Sequence, residues 1–348
     1  MKISHLLISI LLFSAQLFAE VQNYKLFGFT QVDFTTSSAA TQPYGFQLRR
    51  LNLIQSYKIG KHITIIADAE YEGSPSHNNT SKQGTIKLSR AFIDYCLSEK
   101  INFRIGRYLN PFGLYNEVHD FGASFYLVDA PRLYQKHTLY SGNSQRFFNK
   151  YGTGVQIFGK LSSNSNGGAL NYAVSLSNGR DENQKNGSDI DKTSAINAHI
   201  FYRPSFFGIQ YGLSYNREKL LKGIGGISGD FLQTVSLEFE WETDKFLLQL
   251  ETALSQFKNP SAIHQNALLN YVHLAYLRNE KLVPYIEFAY ELNDTKNTAD
   301  VYEETIIGTS IALESQLFLK PEVAIQSKEA SNIETNDVTY KLSLNAMF

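Results

Sequence analysis

The stretch DVTYKLSLNAMF, Asp337 to Phe348, alternates without a break to the end of the chain. Val338, Tyr340, Leu342, Leu344, Ala346 and Phe348 fall on one face, and Asp337, Thr339, Lys341, Ser343, Asn345 and Met347 on the other. Successive side chains of a strand point to opposite sides, so the segment has one apolar wall and one largely polar wall. A tilted strand of about ten residues with one face for lipid is what crossing an outer membrane requires.

The same rhythm continues back through the chain. Strand-like runs fall at 24–34, 45–57, 62–72, 84–95, 100–107, 149–160, 168–178 and 192–203. Eight more fall at 207–217, 229–241, 245–257, 266–278, 281–292, 301–314, 317–327 and 337–348. Late runs sort cleanly: Leu282, Pro284, Ile286, Phe288 and Tyr290 oppose Tyr285, Glu287, Ala289 and Glu291. Likewise Phe231, Val235, Leu237, Phe239 and Trp241 oppose Leu232, Thr234, Ser236, Glu238 and Glu240. Backbone exposed to lipid has no water to bond, so such strands must close into a ring. The expected fold is all-β, a transmembrane antiparallel β-barrel of sixteen strands.

The links between runs support a ring. Those after even-numbered runs are tight: Ile59-Gly60-Lys61, Ser98-Glu99, Pro204-Ser205-Phe206, Glu242-Thr243-Asp244 and Asn279-Glu280. Those after odd-numbered runs are mostly longer and polar, as at Thr35–Tyr44, Gly73–Gln83, Gly179–Asp191, Glu218–Ser228 and Asn293–Asp300. Ser162–Gly167 is longer than the other links of its class. Periplasmic turns at one rim and external loops at the other would produce this alternation. A secreted sandwich or solenoid has no reason to place its long loops at one end of every hairpin. Both termini then lie on the periplasmic side, with Tyr57, Tyr202, Phe207, Trp241 and Phe246 in an interfacial girdle.

Composition narrows the class. Residues 1–19 read as a cleaved signal peptide: Lys2, the mostly apolar Ile3–Phe13, then a cleavage region ending before Glu20. Residues 20–348 form the barrel domain. After Glu20 no apolar run approaches the roughly 20 residues of a spanning helix, which excludes a helical membrane protein. Cys96 is the only cysteine, so neither an intramolecular disulfide nor a cysteine-based metal site is expected. A formal charge of −1 argues against nucleic acid as a partner. No cofactor or metal is implied; the acidic residues of 181–191 match no EF-hand spacing.

One link stands apart, Tyr108 to Phe148. A connection this long is usually functional, and a sixteen-stranded ring encloses a lumen that wall side chains alone cannot fill. Folded inward, this third external loop would narrow the passage. Around it lie two motifs. Phe46-Gln47-Leu48-Arg49-Arg50-Leu51-Asn52-Leu53 resembles the paired-arginine second strand of the phosphate-selective porin O and P family. Phe103 to Leu114, with Pro111, Phe112 and Gly113, resembles that family's fifth strand and the start of its constriction loop. The closing strand resembles that of bacterial outer-membrane proteins, whose final aromatic, here Phe348, is part of the signal read by the barrel assembly machinery. The resemblance is strongest over residues 45–135. It implies a homotrimeric channel for small hydrophilic solutes, set among outer-membrane lipid and lipopolysaccharide.

Projection of the strands inward gives the candidate pore lining. The basic set is Arg50, Arg90, Arg104 and Lys341 on strands, with Arg107, Arg132 and Lys136 around the long loop. The acidic set is Asp68, Glu70, Asp94, Glu117, Asp120, Glu238, Glu240, Glu251 and Glu287, with Glu291 beside them. Glu238 to Glu291 form an acidic arc, across a wet gap from Arg50, Arg90 and Arg104; opposed charges there create a transverse field favouring polar solutes. No sustained basic ladder appears, so the expected range is broader than phosphate, with a preference for anions such as phosphate or small carboxylates. Two other readings compete with passive diffusion. A phospholipase-type barrel enzyme needs a Ser paired with His199 or His273, and the sequence pairs neither. A receptor or adhesin barrel needs long external loops, and these are modest.

Overall fold

In the computed structural model the described residues are 23–38, 45–73, 85–118, 125–135, 137–139, 143–163, 168–179, 194–204, 208–219, 231–258, 264–293, 300–330 and 333–348. The expected signal peptide lies outside them, as do Asp120, Lys136 and Phe207. The strands in chain order are β1 (Tyr24–Ser37), β2 (Gly45–Ile59), β3 (Ile63–Glu72), β4 (Thr85–Cys96), β5 (Asn102–Leu109), β6 (His137–Leu139), β7 (Asn143–Gln145), β8 (Tyr151–Ser163) and β9 (Ala169–Asn178). They continue as β10 (Ser194–Arg203), β11 (Ile209–Glu218), β12 (Phe231–Glu242), β13 (Phe246–Lys258), β14 (His264–Tyr276), β15 (Leu282–Leu292), β16 (Val301–Glu314), β17 (Leu317–Ala330) and β18 (Ile333–Met347).

Sixteen of these close into one antiparallel ring, each paired with its sequence neighbours, β5 with β8 and β18 with β1. The short strands β6 and β7 pair only with each other, inside the long link. All sixteen expected runs are wall strands. The largest boundary shift is at the last, which begins at Ile333 rather than Asp337 because its top continues to pair with β17. The outer face carries the apolar set: Leu237, Trp241, Ile286, Phe288, Tyr340, Leu342 and Leu344 are all exposed. Tyr202, Tyr211, Trp241, Phe246 and Tyr276 stand on that face near the tight turns, with Phe246 against Tyr276 and Tyr211 against Phe239, as in an aromatic girdle.

The seam depends on a missing side chain. Gly28 N–H donates to the Phe348 carbonyl at 2.8 Å, and Phe348 N–H returns the bond to Gly28 at 3.0 Å. A Cβ on Gly28 would stand 2.4 Å from the Asn52 carbonyl oxygen and 2.8 Å from the Phe348 ring. Gly28→Val is therefore expected to displace Phe348 and weaken closure, read as a lower temperature for loss of the compact band in heat-modified electrophoresis. An unchanged transition would show that the terminal ring is free to move aside.

Among the described residues, buried apolar side chains form two clusters, both inside the ring. Phe112, Leu133, Tyr134, Phe147 and Phe148 of the long link pack on Leu232, Phe257, Leu269 and Tyr271 of β12–β14. Phe125 and Leu127 pack on Leu247, Val283, Tyr285 and Ile306 of β13, β15 and β16. The hydrophobic core of this molecule lies between the inward loop and one side of the wall.

Candidate functional site

The loop leaves β5 and returns to β8 through a knot of amides. Asn110 N–H donates to the Lys150 carbonyl at 3.0 Å, its side chain donates to the Asn149 carbonyl at 2.8 Å, and Asn116 donates to the Asn110 carbonyl at 2.7 Å. From there the loop crosses the lumen. Phe112 stacks on Phe148, centroids 4.1 Å apart. Gly113 N–H donates to Ser214 Oγ on β11 at 2.7 Å, and Leu114 N–H to Glu251 on β13 at 3.0 Å. Tyr134 donates to both oxygens of Glu251 at 2.8 Å, and Tyr271 also donates to it.

Further along, the Lys320 ammonium on β17 donates to the carbonyls of Phe125 and Leu127, and Val128 N–H donates to Glu322 at 3.0 Å. Asp129 then sits between Arg49 of β2 at 2.5 Å and Lys341 of β18 at 3.0 Å. Burial alone would raise the Asp129 carboxyl, but Arg49 and Lys341 outweigh it and hold the group below the ordinary carboxylate range. Arg132 closes the circuit on Glu291 of β15 at 3.0 Å, with its guanidinium 3.9 Å from the Tyr302 ring centroid.

This path corrects the expected acidic arc. Glu238, Glu251, Glu287 and Glu291 are between 0% and 4% exposed. They do not face Arg50, Arg90 and Arg104 across an open wet gap. The loop lies along this wall, and buried carboxylates call for donors: loop and wall supply them to Glu251, Glu291 and Glu238, while Glu287 has His273 at 3.5 Å. Glu240 is partly covered and accepts from Gln249 at 2.8 Å. Arg132 and Lys341 are likewise engaged beneath or beside the loop. Arg107 departs further: it pairs with Ala91 and follows outward-facing Ile105 by two residues, so it stands on the outer wall. There it donates to the Ser89 carbonyl at 3.1 Å and lies 4.8 Å from the Tyr151 ring centroid.

The wall the described loop leaves open runs from β3 through β5 to β8, where several expected residues do converge. Arg104 makes a two-point contact to Asp94 at 2.8 and 3.0 Å, 4.2 Å from the Phe92 ring centroid and 5.2 Å from that of Phe158. Glu117, the loop's carboxylate on this side, accepts from Gln156 at 3.2 Å and approaches Arg104 at 4.0 Å. Arg90 donates to Asp68 at 3.0 Å, and Lys87 lies 3.4 Å from Glu70. The layering matters. Asp68 and Glu70 are buried beneath their partners, whereas the Lys87 side chain is 40% exposed; Arg104 and Asp94 are about equally covered, and Glu117 is exposed to a similar degree as Lys87.

Strict alternation hid one participant. Val32 pairs with Leu48 and Gln31 with Arg50, so Arg49 is an extra residue in a β-bulge. A bulge re-aims a side chain, and Arg49 thereby reaches Asp129 and comes within 3.8 Å of Asp33 while Arg50 is also buried on the inner side. The paired-arginine motif was the available signal. Lys320 had none, since only the loop's arrival makes an enclosed ammonium useful.

No protein-family profile and no curated protein sequence matches the chain. Solved structures do. The anion-selective porin from Comamonas acidovorans superposes with a TM-score of 0.65 at 11% identity, over 93% of this chain and 99% of that one. Pseudomonas putida OprB, in a high-pH structure, gives 0.64 at 10% identity over 96% of both chains. The chain has the porin fold. Salmonella typhi OmpF, in complex with daunomycin, gives 0.62 at 14% identity over 94% of this chain and 98% of its own. At such identities the likeness concerns architecture; the side chains that set the passage are this barrel's own.

Proposed function

We propose that the protein is a passive channel of the bacterial outer membrane for small hydrophilic solutes, exported through a cleaved signal peptide. One observation carries the reading: a closed sixteen-stranded ring, apolar outside, whose interior is crossed by a loop packed along β12–β16 and meeting Gln156 and Arg104 of the other wall through Glu117. A ring filled for stability alone would be packed on all sides. The porin fold of the similar structures supports the same reading. Assembly as a homotrimer, kinship with the phosphate-selective porin O and P branch, contact with lipopolysaccharide and delivery by the barrel assembly machinery through Phe348 belong to this proposal too. A similar structure titled as a trimer form, of Vibrio cholerae OmpT, supports the trimer.

The finer proposal is a shallow preference for anions such as phosphate or small carboxylates. Its support is the open wall, where Lys87, Arg90 and Arg104 overlie or flank their carboxylates. Pairing limits its size. Planar-bilayer recording in a salt gradient tests both levels. Ion steps with a reversal potential on the anion side are expected; lipid hydrolysis without steps would remove the channel reading. Arg104→Gln should move the reversal potential toward cations, while Arg107→Gln, on the outer wall, should leave it in place. Equal shifts from both would overturn the assignment of the open wall.

The enzyme reading has little geometric support. His199 bonds Glu238 at 2.8 Å, and Ser214 donates to the same carboxylate at 2.5 Å. The carboxylate thus stands between serine and imidazole, and a nucleophile needs the imidazole as its immediate base. His273 faces Glu287 and ring neighbours.

A further inference from the structure

At the tight-turn end, between the loop and the wall of β12–β17, lies a cavity of about 610 Å³, within the size range of small-molecule sites. Its charge is one-sided. Glu240, Glu242, Asp244 and Glu280 line it, no Lys or Arg does, and among the described residues no basic side chain pairs with any of the four. Lys245, Arg278 and Lys281 stand on the same turns but outside the lining. Its other surface is aromatic: Tyr115, Phe125 and Tyr126 of the loop face the carboxylates.

Glu240 and the aromatic side are held in place, whereas Glu242, Asp244 and Glu280 stand exposed at the turns. Tyr115 donates its hydroxyl to Gln249, which donates in turn to Glu240 at 2.8 Å. Tyr115 meets Phe125 edge to face at 4.8 Å, and Tyr126 lies parallel to His273. Ser310, 6% exposed, also lines the cavity, and its hydroxyl has no partner among the described residues. The side chain is nearly buried while its hydroxyl opens onto this space, where it can bond a ligand atom.

We propose that this cavity binds a small organic cation, an ammonium on an apolar or aromatic body. Carboxylates supply the charge, ring faces accept a cation and its apolar body together, and Ser310 accepts one N–H or bonds a polar substituent. A metal ion is a poorer fit, since no three described carboxylate, His or Cys groups come together closely enough to hold one. The site therefore recognises the opposite charge from the open wall.

The test is isothermal titration of the full chain in detergent with benzylammonium, whose N–H groups can reach Ser310. Benzyl alcohol, benzenesulfonate and magnesium chloride serve as controls. Saturable binding of the ammonium alone is expected, weakened about tenfold by Glu240→Gln with Asp244→Asn. Tyr126→Leu should weaken it as well, without changing net charge. Equal binding of benzyl alcohol would reduce the site to an apolar pocket, and tighter binding of magnesium would make it a metal site; either overturns the proposal. So would unchanged affinity in the charge variant, with its compact band intact. Binding is read without current, so its failure is distinct from failure of the channel reading. That a bound cation also slows passage rests on that reading.

Discussion

Gly113→Val is expected to release the constriction loop at its first anchor and enlarge the passage. Gly113 has φ +67°, a left-handed conformation that costs a β-branched residue on the order of 1–3 kcal/mol. Sterics add to this: a Cβ there would stand 2.0 Å from the Tyr134 hydroxyl and 2.7 Å from Glu251. The variant therefore loses the bonds to Ser214 and Glu251 together. Glu251 is 1% exposed and is left with fewer donors, which further destabilises the docked loop. Single-channel conductance should rise by roughly a factor of two with increased noise, because passage follows the open cross-section. The barrel should still run as a compact band, since the ring pairs without Gly113. Conductance equal to the parent would show that the loop does not limit passage.

Asp129→Asn is the second large change. It leaves Arg49 and Lys341 without their shared carboxylate, although Glu322 lies 3.4 Å from Lys341. Breaking a buried pair costs about 3–5 kcal/mol, and less here because Arg49 is about a third exposed. A reversal potential moved further to the anion side is expected, together with a lower unfolding temperature. Arg49→Gln in the same chain should return the selectivity toward the parent, and a double-mutant cycle would isolate the coupling.

The pH dependence of this clamp follows from its sign. A depressed carboxyl stabilises the fold above its unfolded value of about 3.9 and loses that contribution as pH falls through its folded value. Asp129 is held below the ordinary range. Its clamp should thus hold at pH 5, and Asp129→Asn should keep its effect on selectivity there. Loss of the difference between parent and variant at pH 5 would show that Arg49 and Lys341 do not govern the group.

Much of the architecture is legible in the residues. Period two along a strand records which face meets lipid, and closure follows from unpaired backbone in lipid, so Phe348 and its alternating neighbours carry enough information for a ring. The candidate site was legible only in part. Arg104 meets Asp94 and approaches Glu117, while Arg90 meets Asp68 rather than Asp94. Arg107 fails because it falls on the outward parity of β5, and Arg49 was missed because a bulge breaks parity at the very motif that names it.

The sixteen strands, their two faces, the order of links and the oversized loop are all written in local alternation and local turn chemistry. Which wall that loop covers is settled by long-range packing. The same inward parity that makes Glu251 and Glu287 lumen residues leaves them buried under loop aromatics, while Lys87 and Arg104 reach the open lumen. That choice depends on contacts between residues more than a hundred positions apart, such as Leu114 with Glu251 and Asp129 with Lys341, and no local pattern records them.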